Sequence, residues 1–186
     1  MKSGLNAWPV IFLLLFSNCI QAQKGTMAEK LMTALKSKDL KNSMILVQNV
    51  DSVNYKDKDN STLLIQASLT GYPEVVSVLL DKGADIDWQA NSGVTALMVA
   101  SHEGHADVVK ILLDRGAKMD LQANNGGTAL MKASQEGHRE VVMMLLDKGA
   151  DSKIKSKKGK TAYDYADSYS KNKEIRAMLL KAMKKK

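Results

Sequence analysis

Gly93-Val94-Thr95-Ala96-Leu97-Met98-Val99-Ala100-Ser101-His102-Glu103-Gly104-His105-Ala106-Asp107-Val108-Val109-Lys110-Ile111-Leu112-Leu113-Asp114-Arg115-Gly116-Ala117 returns almost word for word one step downstream. There it reads Gly127-Thr128-Ala129-Leu130-Met131, then Gly137-His138-Arg139-Glu140-Val141-Val142, then Leu145-Leu146-Asp147-Lys148-Gly149-Ala150-Asp151. Glycines measure the step. Gly93, Gly126 and Gly159 recur every 33 residues, as do Gly71, Gly104 and Gly137, and Gly83, Gly116 and Gly149. Thr62, Thr95, Thr128 and Thr161 carry the same period through four units. Three interlocked series in one register indicate a repeat architecture.

Within a unit, Thr95 is placed to cap a first helix through its hydroxyl, with Leu97 and Ala100 on one face. Gly104 ends that helix, where a left-handed turn suits a residue without Cβ. The second helix opens on an acid (Glu74, Asp107, Glu140) and closes on a base (Lys82, Arg115, Lys148), each sign favoured by the helix dipole. Pro73 fits a first helical turn. Val108, Val109, Leu112 and Leu113 form the expected buried stripe. After Gly116 the chain turns out into a short extended finger that ends near Gly126. Helices this short need neighbours, so about three or more units must stack.

The unit resembles the ankyrin repeat. The family's Thr-Pro-Leu-His tetrapeptide appears as Thr95-Ala96-Leu97-Met98 and Thr128-Ala129-Leu130-Met131, and the resemblance spans roughly Met27 to Met183. It implies an all-α solenoid of stacked helix pairs with short β-turn fingers, capped at both ends. The expected units are 27–55, 56–88, 89–121, 122–154 and 155–186. In the first, Ala34 and Leu46 align with Ala67 and Leu79, Lys38 replaces the turn glycine, and Lys36, Lys38 and Lys41 wet the outer side. In the last, Tyr163-Asp164-Tyr165-Ala166 is assigned to the tetrapeptide slot, Ser170 to the turn glycine, and Lys173 to a position held by an acid elsewhere.

Ahead of the repeats, Met1 to Gln23 reads as an export leader. Lys2 gives a positive start, Ala7 to Phe16 is apolar, Ser17 and Asn18 break the run, and Ile20-Gln21-Ala22 offers a cleavage site after Ala22. The run is well short of the ~20 residues a spanning helix needs. A second reading takes Phe16-Ser17-Asn18-Cys19 as a loose lipobox, with a lipid on Cys19 tethering the protein to a membrane. Cys19 is the single cysteine, so a chain cut after Ala22 forms no disulfide. The expected location is periplasmic or secreted, with an envelope anchor as the alternative.

Over 186 residues the composition is 45% hydrophobic and only 5% aromatic, with mean hydropathy −0.23, which favours packed helices over a sandwich. The net charge is +7, much of it from Lys171, Lys173, Lys181, Lys184, Lys185 and Lys186. If that tail holds a polyanion, binding will depend steeply on salt; a nucleic-acid partner is otherwise not expected.

No residue set points to catalysis, a metal or a cofactor. Of the 3 histidines, His105 and His138 follow turn glycines, where the resemblance implies a loop brace. His102, Glu103 and His105 lack a second ligand set, and no Ser-His-Asp arrangement can be built on turn positions. Glycines spaced at 33 do not gather into a phosphate loop.

The architecture implies that fingers and first helices line one concave face, with another protein as the partner of a monomeric chain. On the ruler the binding positions are Gln89, Asn91, Ser92, His102 and Glu103 in one unit, and Gln122, Asn124, Asn125, Gln135 and Glu136 in the next, with Val94 beside them. Those positions are expected to be free of duty in the fold. Lys56, Lys58, Leu69 and Thr70 flank them on one side, and Lys155, Lys157, Lys158, Ser168 and Tyr169 on the other. The repeated Gln-Ala-Asn reads equally as a binding feature or as duplication. Trp88 aligns with Tyr55, Leu121 and Ile154, which favours a stripe packing finger on finger over a binding anchor.

Overall fold

The computed structural model describes residues 25–166 and 172–184. Among them run ten helices: α1 Met27–Lys36, α2 Leu40–Gln48, α3 Leu63–Thr70, α4 Pro73–Asp81, α5 Ala96–Glu103, α6 Ala106–Asp114, α7 Ala129–Glu136, α8 Arg139–Asp147, α9 Ala162–Tyr165 and α10 Lys173–Lys184. They form two layers. The inner layer stacks α1, α3, α5, α7 and α9 in series, and the outer layer stacks α2, α4, α6, α8 and α10.

The threonines start the inner helices. Thr62, Thr95, Thr128 and Thr161 hold extended backbone, and their hydroxyls accept from the N–H groups of Ile65, Met98, Met131 and Asp164. Gly71, Gly104 and Gly137 end three of these helices in the left-handed region, at φ of +74°, +76° and +82°. The outer helices α4, α6 and α8 then close in a Schellman-type turn: the N–H of Ala84, Ala117 and Ala150 reaches back to the carbonyls of Leu79, Leu112 and Leu145.

No helix here is long enough to persist alone. Burial supplies the stability. Leu31, Leu64, Leu97 and Leu130 of the inner layer and Leu79, Leu112 and Leu145 of the outer layer are essentially inaccessible and belong to one continuous core. Burying each such side chain is worth about 1.5–3 kcal/mol against the unfolded chain.

Both ends depart from the repeat in ways their residues explain. Lys38 keeps the left-handed turn, with φ +56°, and the Tyr72 hydroxyl donates to its carbonyl at 2.6 Å. At the other end the tetrapeptide slot lies two residues earlier than the sequence reading put it. Thr161 is the cap, and Asp164 closes a capping box back to the Thr161 N–H at 2.8 Å, so the slot is Thr161-Ala162-Tyr163-Asp164. Ser170, the expected turn residue, lies outside the described residues, as do Met1 to Gln23 with Cys19 and Ala22. Lys173 does open α10, with Glu174 beside it in the first turn.

The fingers are four-residue turns closed by backbone bonds: Asn60 N–H to Asp57 O, Gly93 N–H to Ala90 O, Gly126 N–H to Ala123 O and Gly159 N–H to Ser156 O. They are also joined to one another. Asn91, Asn124 and Lys157 donate their N–H groups to the carbonyls of Asp59, Ser92 and Asn125, at 3.2, 2.9 and 3.0 Å. At the start of each finger, Asn54, Asp87 and Asp120 accept from the backbone N–H groups of Asp85, Lys118 and Asp151 in the next unit. The fingers therefore form a ladder alongside the stacked helices.

Candidate functional site

The ten candidate residues divide between two jobs. Gln89 Nε2 donates to Gly93 O within its own finger and to Gln122 O in the next, at 2.7 and 3.0 Å. Gln122 repeats this toward Gly126 O and Lys155 O, at 2.8 and 3.1 Å. Asn124 Nδ2 donates to Asn91 O at 2.8 Å, and Asn125 Oδ1 accepts the Gly127 N–H at 2.9 Å. These amides hold the finger ladder together, so they are not free of duty in the fold. The side chains of Asn91 and Ser92 are exposed and make no hydrogen bond among the described residues.

The inner-helix candidates behave differently. His102 lies between two carboxylates, with Nε2 3.9 Å from Glu103 Oε1 and Nδ1 3.6 Å from Glu136 Oε1 on the next repeat. Gln135 Nε2 donates to Glu136 Oε1 at 3.1 Å. These four side chains touch one another across the α5–α7 boundary and support no turn or cap. The His102 backbone does have a structural task, since its carbonyl accepts from His138 Nε2 at 2.8 Å. A carbonyl only accepts, so that nitrogen carries the hydrogen. His105 braces the previous unit in the same way, reaching Leu69 O at 3.2 Å.

Two neighbours escaped the sequence reading. Val99 and Lys132 are half-buried on α5 and α7, three residues before His102 and Gln135. Residues three and four apart share a helix face, and that offset was the available signal. With Leu69, 39% exposed on α3, they extend the His102 cluster into a continuous inner-helix surface.

Trp88 is held in place. Its Nε1 donates to Asn60 O at 2.9 Å, and the Lys56 ammonium sits 3.3 Å from its ring centroid. Tyr55, Leu121 and Ile154 pack against the core at the equivalent positions. On one flank, burial works against ionisation of Asp57. Its hydrogen bond from Lys36 and those from the Ser61 and Asp59 N–H groups outweigh that, so its carboxyl stays below the usual range. Lys58 on that side is exposed. On the other flank Lys155, Lys157 and Lys158 are exposed, while Ser168 and Tyr169 lie outside the described residues.

The arrangement offers carboxylates, amides and one imidazole on a broad face. Among the described residues no group of three or more His, Cys, Asp or Glu is placed to hold a metal ion, and no helix is long and apolar enough to cross a membrane. The family model for ankyrin repeats in three copies matches residues 22–123, and the model for ankyrin repeats in many copies matches residues 112–166. Among curated proteins, none matches the chain.

Proposed function

This chain belongs to the ankyrin-repeat family, whose repeats generally mediate contact between proteins, and from that premise we propose that it is an exported scaffold or adaptor that grips another protein through its inner-helix face. The observation that carries this reading is the division of labour just described. The finger amides Gln89, Gln122, Asn124 and Asn125 are taken up in hydrogen bonds within and between fingers, whereas His102, Glu103, Gln135 and Glu136 have no side-chain partner beyond each other among the described residues. Polar groups exposed together, at no gain to the fold, are suited to setting partner choice and register.

The proposal extends to location. Met1 to Ala22 acts as a leader that is cut off, and the mature chain starts at Gln23. The intact mass of the mature protein checks this, because a chain that starts at a lipidated Cys19 is heavier by residues 19–22 and by the lipid. A photo-cross-linking residue at position 103 tests the binding face in the producing cell. It should give one discrete protein adduct, and the same residue in place of Lys110, on the outer layer, should not. Equal adducts from both positions would overturn the proposed face.

A further inference from the structure

Among the described residues the finger ladder has an open end. The carbonyls of Asp59, Ser92 and Asn125 each receive a backbone N–H from the next finger. The next carbonyl in that series, at Lys158, accepts no hydrogen bond among the described residues. The glycine beside it tells the same story. A Cβ at Gly93 or Gly126 would lie 2.7 or 2.6 Å from the backbone nitrogen of Asn124 or Lys157, because the following finger passes there. At Gly159 no described residue lies within 4 Å.

Charge changes at that step too. Residues 52–61, 85–94 and 118–127 carry two, no and one lysine, against two, two and one aspartate. Residues 151–160 carry five lysines and one aspartate. That aspartate, Asp151, accepts the Lys153 N–H at 2.8 Å. Lys153, Lys157 and Lys158 are exposed and enter no ion pair among the described residues. Asp164, near Lys155 and Lys160, has its carboxylate taken up by the N–H and hydroxyl of Thr161.

We propose that the last finger is a docking edge for an extended acidic polypeptide segment, whose backbone N–H pairs with the Lys158 carbonyl while its carboxylates meet Lys153, Lys155, Lys157 and Lys158. The edge is separate from the His102–Glu136 cluster and does not depend on it. A polypeptide fits better than nucleic acid or a lipid surface because the open group is a backbone acceptor at the end of a series filled by backbone N–H groups. The phosphate that would meet the lysines in either alternative is itself an acceptor and has no hydrogen to give it. The segment adds one more rung to a ladder whose earlier rungs are already made, the logic of strand addition at a sheet edge.

Fluorescence anisotropy with a labelled peptide of alternating aspartate and serine tests this on the full chain. Single-stranded DNA of similar charge and vesicles containing phosphatidylglycerol serve as comparison probes. The peptide should bind saturably, and Lys155→Glu with Lys157→Glu and Lys158→Glu should weaken it by about tenfold or more. Gly159→Asn separates backbone docking from charge. Asparagine tolerates the φ of +72° there, so melting stays close to that of the parent, but its side chain occupies the path of the added rung. Loss of peptide binding in Gly159→Asn supports the docking edge, and retained binding overturns it. Absence of peptide binding, or equal binding of DNA or vesicles, overturns the polypeptide assignment.

Discussion

A methyl group on Gly104 would sit 2.5 Å from Cε1 and Nδ1 of the His138 ring, at a backbone φ of +76°. Gly116 has a similar φ, +86°, with no described residue within 4 Å of an added Cβ. The pair separates two effects that glycine substitution usually mixes. Both alanine variants carry the left-handed penalty, about 1–2 kcal/mol, and only Gly104→Ala also displaces the imidazole that binds His102 O. Gly104→Ala is therefore expected to lower the urea midpoint clearly more than Gly116→Ala. Equal shifts would mean that the histidine does not fill the turn. The turn glycines and the capping threonines Thr62, Thr95 and Thr128 were legible in the sequence, because their task is set by local backbone geometry. The finger amides were not. Gln89 and Gln122 bond to residues 33 positions away, and nothing in a linear pattern marks a side chain as spoken for. Their one clue was recurrence four residues before Gly93 and Gly126, whose carbonyls they take.

Between elements, the same amides make a measurable prediction. Gln122→Ala removes one hydrogen bond inside its finger and one to the next, and should cost about 1 kcal/mol in urea unfolding. Glu136→Ala removes neither kind and should leave the midpoint within experimental scatter. A Gln122 variant as stable as the parent would contradict the ladder. On the outer layer, Asp114 joins α6 to α8. Hydrogen bonds from Lys110 and then Lys148, 2.8 and 2.9 Å away, lower its pKa to about 2. A folded pKa below the unfolded value, about 3.9, means that its stabilisation is complete above that value. It is lost as pH falls through about 2. Titration of the Asp114 carboxyl by NMR should give that low midpoint, and Lys148→Ala should move it back toward the ordinary range; an ordinary midpoint in the parent chain would refute the bridge. The slot at the start of α9 shows the limit of matching by residue type. Tyr163-Asp164-Tyr165-Ala166 looked suitable, but the ruler and the Thr161–Asp164 capping box put the helix start at Thr161.

At the scale of the whole molecule, the stack of helix pairs was readable because one period of 33 runs through glycines, threonines and leucines alike, and each series reports the same repeating contact. The proposed binding surface was readable only in part. His102, Glu103, Gln135 and Glu136 lie together on the inner helices, and the lysines of the last finger were legible too, whereas its Lys158 carbonyl, unpaired among the described residues, emerges only when the fingers are seen side by side. The account holds that stability is a sum over like units and their interfaces, so a unit can be removed whole without losing the fold. Excising residues 89–121 joins Trp88 to Gln122 in register, with Trp88 standing where Leu121 stood. Urea unfolding followed by circular dichroism is the most direct measurement. The shortened chain should keep its helical signal per residue and unfold in one cooperative transition at a lower midpoint; loss of that transition, or a midpoint unchanged from the parent, would contradict the stacked-unit account.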